Sequence, residues 1–250
     1  MKTKSIVIIM LAMLGSATGS AMNIPVQKPD TFTTNQGNLI IHFLGHGSLW
    51  FEFNHLIIYA DPFSKVGNYP QLPKADVILV THSHMDHMDT TAISAIRKVT
   101  THIFYTEACD QLAKYKEHKT IMKNGDQQSY MGISILAVPA YNLVAKRPDG
   151  IPFHPKGEGN GYVVTFGNLR VYIAGDTENI PEMKNLGTID IAFLPMNLPY
   201  TMTPEQTADA AKMVHPKIFY PYHYGNTDVS KLLDLLKNEK EIEIRVKNMK

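Results

Sequence analysis

A cluster of metal-binding side chains follows a short apolar segment near residue 80, and this feature constrains the fold more than any other. Residues 76–80 (DVILV) predict a buried strand. The strand leads into the run HSHMDH, in which His82, His84, Asp86 and His87 offer four ligands within six residues. In an extended chain His82 and His84 lie on one side, and a following turn directs Asp86 and His87 to a neighbouring point. The run therefore predicts two adjacent metal ions.

Short β-rich runs separated by Gly, Pro and Asp begin at residue 38 and predict further strands. Several of them end in polar loops, as in ISILAVPAYN, NLRVYIAGDTE and KIFYPYHYGN. Thr203 predicts a helix N-cap, because Pro204 occupies the first helical position and Gln206 completes a capping box. The predicted helices are residues 90–99, about 204–214 and 229–238, and a last strand is predicted near 242–246. We expect one domain over residues 36–250, after an N-terminal extension at 22–35.

The amino terminus has the three-part pattern of a secretory signal peptide. Lys2 and Lys4 precede an apolar run at residues 5–14, and small residues occupy 15–21. The apolar run is about half of the ~20 residues that span a bilayer, so no stable membrane anchor is expected. The pattern predicts removal of residues 1–21 and export to the periplasm or the medium.

The charge balance excludes one broad class of partner. With 24 Lys and Arg against 23 Asp and Glu, the chain lacks the dense basic surface that a nucleic-acid binder needs. A small-molecule or lipid-like substrate is expected instead. Cys109 is the single cysteine, so no intramolecular disulfide can form, and stability must come from a packed core or bound metal. The oligomeric state is left open.

The chain resembles the metallo-β-lactamase superfamily, whose members carry His-x-His-x-Asp-His after a hydrophobic strand. Further blocks occur in the order of the branch that is similar to ascorbate-6-phosphate lactonase: Leu44-Gly45-His46-Gly47-Ser48, Ala60-Asp61-Pro62-Phe63, Gly175-Asp176-Thr177 and Tyr222-His223-Tyr224. The resemblance implies an α/β fold, the four-layer αβ/βα sandwich, with two mixed sheets face to face and helices outside.

The resemblance also implies roles for individual residues. His82 and His84 match ligands of a first metal, and Asp86 and His87 match ligands of a second. The remaining matches are Asp176, which corresponds to the carboxylate that can bridge both metals, and His223, which corresponds to the last ligand. Asp86 and Asp176 are the predicted catalytic residues.

One ligand of the first metal does not match directly. In the family a third histidine follows a strand end like Val138-Pro139-Ala140-Tyr141, but here Asn142 stands next. His154 comes twelve residues later, in an insertion similar to that of several lactonase-like members. We expect His154 to be the ligand, because imidazole binds a borderline metal better than an amide does. Asn142 would then contact a ligand or the substrate; the alternative is a weakened first site.

Three other residues are weaker candidates. His46 could hydrogen-bond a ligand or the substrate, or could cap the first hairpin. Asp61 could orient a metal-binding histidine, or could begin a turn before Pro62. Lys156 could meet an anionic substrate group, although an exposed loop lysine is the ordinary interpretation.

These observations favour metal-assisted hydrolysis. Two divalent ions, zinc first with manganese or iron as alternatives, would lie about 3.5–4 Å apart, hold a hydroxide and polarise the scissile group. A lactone or other ester is the first expected substrate. The alternatives are a phospholipase-D-like phosphodiesterase, a β-lactamase and, from a different class, a non-catalytic metal-binding protein that retains the fold.

Overall fold

The computed structural model describes residues 27–115 and 117–250, so the predicted signal peptide at residues 1–21 lies outside the described residues. Fourteen strands form two sheets in the described part. The first sheet contains β1 (Asp30–Thr34), β2 (Gly37–Gly45), β3 (Ser48–Phe53), β4 (Leu56–Ala60), β5 (Ala75–Leu79), β6 (Arg97–Tyr105) and β7 (Lys119–Ile121). The second contains β8 (Gln127–Tyr130), β9 (Ile133–Ala140), β10 (Gly159–Phe166), β11 (Leu169–Ile173), β12 (Ile191–Pro195), β13 (Ile218–Tyr222) and β14 (Glu243–Ile244).

The two sheets have the same order of pairing. In the first sheet β1 to β4 form an antiparallel meander, and β5, β6 and β7 then add in parallel. In the second sheet β8 to β11 form the meander, and β12, β13 and β14 add in parallel. Two mixed sheets of this kind confirm the predicted α/β sandwich.

The main core lies between the sheets. The central strands of both sheets turn apolar side chains inward, and these faces pack together. Phe51 of β3 and Phe166 of β10 stack across the interface, with ring centroids 5.8 Å apart. Phe43 of β2 and Phe193 of β12 also meet across the interface, with their ring centroids 6.4 Å apart and their planes tilted by 50°. This continuous core fixes the two sheets relative to each other.

Three helices complete the layers: α1 (Thr90–Ile96), α2 (Pro204–Val214) and α3 (Val229–Leu236). A second apolar cluster packs α1 against the first sheet, while α2 packs on β12 and α3. The predicted capping box at the start of α2 is present, with the Thr203 side chain accepting from the Gln206 backbone. In the described part of the chain, no helix has both the length and the apolarity needed to cross a membrane.

Some predicted boundaries differ from the observed ones. The helix predicted over residues 90–99 ends at Ile96, because the β-branched run Val99-Thr100-Thr101 favours extended backbone and Arg97 already pairs with Ala75 of β5. The third helix ends two residues before the predicted position 238, and the last strand is limited to β14. Within the predicted N-terminal extension, β1 pairs with β2 and forms an edge of the first sheet.

Candidate metal centre

The loops after strands β5, β11 and β13 and the insertion after β9 bring the predicted ligands together at one end of the sandwich. Within each group that these side chains form, the ligand atoms lie within 4.8 Å of one another. The groups are His82, His84 and His154; Asp86, His87, His223 and His46; and His82, His87 and Asp176. All seven predicted ligands are therefore present in one place.

The first group consists of three imidazoles. His84 Nδ1 lies 3.1 Å from His82 Nε2 and 3.2 Å from His154 Nε2. His82 and His154 are almost fully buried, and His84 is half-buried. Three nitrogens that converge in this way have the arrangement of a three-histidine metal site.

Asp176 connects this group to the second one. Its Oδ2 lies 3.3 Å from His154 Nε2 and 4.0 Å from His82 Nε2. Its Oδ1 lies 3.4 Å from both His87 Nε2 and His223 Nε2. Because its two carboxylate oxygens face opposite groups, Asp176 has the geometry of a ligand shared by two ions.

Asp61 orients histidines on both sides of the centre. The buried Asp61 accepts a hydrogen bond from His87 Nδ1 at 2.8 Å, which leaves His87 Nε2 facing the site. Asp61 also accepts from the Thr81 hydroxyl at 2.7 Å, and that hydroxyl lies 3.0 Å from His82 Nδ1. A proton on His82 Nδ1 therefore leaves Nε2 as the ligand atom. The structure gives Asp61 the orienting contact that the sequence suggested.

Asn142 lies behind His154. Its Oδ1 accepts from the His154 backbone at 2.8 Å and from His154 Nδ1 at 2.7 Å, and its amide donates to the Tyr200 carbonyl at 2.9 Å. The backbone donor fixes the orientation of the amide, because only the oxygen can accept. His154 thus presents Nε2 to the centre, and Asn142 holds the ring.

His46 contacts the second group. Its Nε2 is hydrogen-bonded to Asp86 Oδ2 at 2.9 Å, and its ring packs on His223 with centroids 3.7 Å apart. The His46 carbonyl accepts from the His223 backbone at 3.0 Å. His46 therefore fixes both Asp86 and His223, and the β2–β3 hairpin is connected to the loop after β13.

Several site residues adopt backbone conformations that side chains rarely take. His46, Asp61 and His223 have φ values of 53°, 44° and 45°. Gly175 has φ 66°, and a Cβ there would lie 3.0 Å from the Asn160 carbonyl, so only glycine can precede Asp176 comfortably. Non-glycine residues with positive φ concentrate at functional sites, where the surrounding structure compensates the strain.

The electrostatics of the centre favour a cation. Burial lowers the pKa of His87, but the Asp176 and Asp61 carboxylates outweigh it and raise the pKa to about 10. Burial would raise the pKa of Asp176, but His223 and His87 hold it well below its usual range. Asp86 also keeps a lowered pKa against burial, mainly through the His46 hydrogen bond. The Asp176 and Asp86 carboxylates thus stay ionised beside buried imidazoles.

The donor set fits divalent metal ions. Among the described residues, the buried atoms His87 Nε2, His223 Nε2 and Asp176 Oδ1 have no hydrogen-bond partner. Unpartnered buried polar atoms are costly, and these three face one another within a cluster of nitrogen and carboxylate ligands. Metal coordination would satisfy all three.

Two adjoining cavities of about 300 and 480 Å³ open onto the centre. Both are lined by His84, His154, Asp176, Arg147 and Phe153. Arg147 and Phe153 belong to the insertion after β9. Sequence reasoning identified this insertion only through His154 and did not single out Arg147.

Sequence reasoning also missed Glu178, two residues after Asp176. The buried Glu178 carboxylate accepts hydrogen bonds from the backbones of Leu143, Val144 and Ala145 at 2.7, 2.7 and 2.8 Å. A charged residue after Gly-Asp-Thr gave no sequence signal of burial. Lys156, the cation that the sequence suggested for an anionic substrate, donates instead to Glu182 at 2.8 Å and lines neither cavity.

Comparisons with known proteins agree with this fold and site. Residues 40–223 match the family model of the beta-lactamase superfamily domain. A UPF0173 metal-dependent hydrolase from Pelotomaculum thermopropionicum is 31% identical over 194 residues, which cover 74% of this chain and 84% of the relative.

Solved structures give the same result. The crystal structure of a protein described as a metal-dependent hydrolase, from Parabacteroides distasonis, shares 47% identity with a TM-score of 0.83, covering 89% of this chain and 99% of that one. The metallo hydrolase Igni18 from Ignicoccus hospitalis has the same fold at 22% identity, with a TM-score of 0.70 and coverage of 84% and 94%.

The fold and the site together define a metal-dependent hydrolase of the metallo-β-lactamase superfamily. The chain belongs to the beta-lactamase superfamily domain family. The predicted superfamily, the enzyme class and the use of divalent metal are confirmed.

Proposed function

We propose that this hydrolase binds two divalent ions, zinc by preference, and hydrolyses a lactone or ester of a small molecule. The observation that carries the proposal is the position of Asp176, whose two oxygens face two separate ligand groups. When bound, such a pair of ions supplies Lewis acidity and lowers the pKa of water towards ~7.

The residues of the chain prepare the site for this chemistry. Asp61 and Asn142 hold the rings of His87 and His154 so that Nε2 faces the centre. His46 holds Asp86 in place on the other side. Orientation of this kind lowers the cost of assembling the ligand set.

The size of the site supports a small substrate. The two cavities of about 300 and 480 Å³ lie within the range of small-molecule pockets. Phe153 and Tyr200 form part of the wall, with ring centroids 5.1 Å apart in an edge-to-face contact. An ester with a short apolar portion suits this combination of polar floor and aromatic wall.

Two experiments test the proposal. Elemental analysis of the metal-reconstituted protein should find close to two ions per chain, and fewer than one would contradict the dinuclear site. A hydrolysis panel of lactones, phosphodiesters and β-lactams, with Asp86→Ala as the blank, should show turnover mainly of lactones or esters. Turnover of phosphodiesters or β-lactams alone would refute the proposed lactone or ester substrate in favour of the class that is hydrolysed. No turnover of any class would favour a non-catalytic metal-binding protein.

We also propose that the protein is exported after cleavage behind residue 21. The charged, apolar and small-residue segments at residues 2–21 support this location. Sequencing the amino terminus of the protein from its native host should find a chain that begins near residue 22. An intact Met1 on the mature protein would refute export by this route.

A further inference from the structure

The insertion after β9 forms a hairpin over the metal centre. The Lys146 and Pro152 backbones pair across it, and the Arg147 amide donates to the Ile151 carbonyl at 2.8 Å. At its base the Glu178 carboxylate binds three consecutive amides, at residues 143–145. These hydrogen bonds therefore anchor the hairpin, and its side chains have defined positions relative to the site.

Arg147 extends from this hairpin to the ligand group. Its guanidinium Nη2 lies 3.2 Å from the Phe153 carbonyl, to which it donates, and 3.4 Å from His84 Nε2. Among the described residues that line the two cavities, Arg147 is the only lysine or arginine. A single fixed cation thus borders the space in which a substrate would lie.

His84 faces Arg147 with the ring nitrogen that is not directed at the other ligands. Its Nδ1 points to His82 and His154, so a metal bound there requires the proton on Nε2. His84 Nε2 and the Arg147 guanidinium are then both donors, and they cannot bond each other. His84 Nε2 and the guanidinium N–H groups that do not bond the Phe153 carbonyl are then neighbouring donors at the edge of the cavity.

We propose that Arg147 and His84 form a subsite for an oxyanion, so that the substrate is an ester or lactone that carries a carboxylate or phosphate group. The guanidinium fork matches such groups in shape and charge. Ile151 and Phe153 of the same hairpin border the subsite and would contact the apolar part of the substrate. This inference rests on the proposed hydrolase function and specifies its substrate class.

Direct binding tests the subsite without turnover. The probes are succinate and its monoamide, in which an amide replaces one of the two carboxylates. Both probes can contact the ions through the carboxylate that they share. Isothermal titration of the metal-loaded wild type should show about 10–100-fold tighter binding of succinate, the range expected for one charge-assisted contact. Arg147→Gln should reduce this preference to about threefold or less, and Lys146→Gln, which removes the same charge from the same hairpin, should retain it.

Three results would overturn the proposal: equal binding of both probes by the wild type, an unchanged preference in Arg147→Gln, or loss of bound metal from Arg147→Gln by elemental analysis. The same variants are then compared on a nitrophenyl ester with a terminal carboxylate and on the matched amide. Arg147→Gln should raise KM only for the carboxylate ester. If no ester is turned over while the binding preference depends on Arg147, the proposed ester or lactone substrate is refuted and the oxyanion subsite stands.

Discussion

The Asp61 carboxylate accepts a hydrogen bond from His87 Nδ1, with 2.8 Å between Nδ1 and Oδ2, although the two residues lie on different loops of the first sheet. The same carboxylate reaches His82 through the Thr81 hydroxyl. One buried acid therefore sets the orientation of a histidine in each ligand group.

Asp61→Asn should weaken the binding of both proposed ions. The amide can present its NH₂ group to His87 Nδ1. His87 Nδ1 then loses the acceptor that favours a proton on this nitrogen. Loss of such a contact typically lowers metal affinity about 10–100-fold. Competition with a chromophoric chelator measures the affinity, and Asp234→Asn, at an exposed position of α3, is the control. Unchanged affinity in Asp61→Asn would show that the contact does not orient the ring.

His154 and Asn142 can be separated by their variants. His154→Ala removes the third nitrogen of the first group and should reduce the metal content to about one ion per chain, because a two-histidine site binds weakly. Asn142→Ala removes only the contact that holds the ring, so both ions should bind, with about 10–100-fold lower affinity at the first group. Elemental analysis after dialysis distinguishes the two, and the reverse pattern would make Asn142 the ligand.

Glu178→Gln should loosen the hairpin. The carboxylate accepts from three backbone amides in a buried position, and a hydrogen bond to a charged group contributes roughly 1.5–3 kcal/mol. We expect a loss of about 2 kcal/mol or more in the free energy of unfolding. We also expect faster amide hydrogen exchange at residues 143–153.

The control for that variant is Glu107→Gln, which removes the same charge from an exposed site. Mass spectrometry of peptides after exchange locates the effect. Equal protection of residues 143–153 in wild type and Glu178→Gln would mean that the hairpin does not depend on Glu178.

Asp30 links β1 to β13 and to residues 245–247, and it should make stability depend on pH. It accepts from Lys247 at 2.7 Å and from Tyr220 at 2.5 Å, and Arg245 lies 3.3 Å away. Burial alone would raise the pKa of Asp30, but the hydrogen bonds from Lys247 and Tyr220 hold it below the ordinary value of 3.8.

Because the pKa of Asp30 is lower in the folded state, its contribution to stability is complete above the ordinary value of 3.8. That contribution is lost as the pH falls through the folded value. Asp30→Asn should cost about 1–2 kcal/mol at pH 7 and should flatten the acid side of the profile. Urea unfolding between pH 7 and pH 3 measures both effects. A parallel downward shift at every pH would show that the charge of Asp30 is not responsible.

The sequence predicted the parts of this protein that local spacing controls. His82, His84, Asp86 and His87 lie within six residues, so a strand and one turn suffice to bring them together. The capping box of α2 is local in the same way. Asp176 and His223 were identified only through the resemblance, because the packing of the two sheets is what brings them to the loop that carries His82.

Contacts between distant segments could not be derived in this way. Arg147 meets His84 across 63 positions, and Glu178 binds amides 33 to 35 positions earlier. The sequence does not mark either contact, because it does not show whether a charged residue is buried or exposed. The end of α1 was predicted three residues too late, since pairing with β5 overrides the local helical preference.

Each ligand group takes side chains from both sheets of the sandwich. His82, His84, Asp86 and His87 follow β5 of the first sheet, whereas His154, Asp176 and His223 belong to the second. An ion in either group would therefore act as a cross-link between the two halves of the molecule. Removal of the metal should then weaken the joint between the sheets as well as the site, so that holding the two halves together and carrying out hydrolysis depend on the same few atoms.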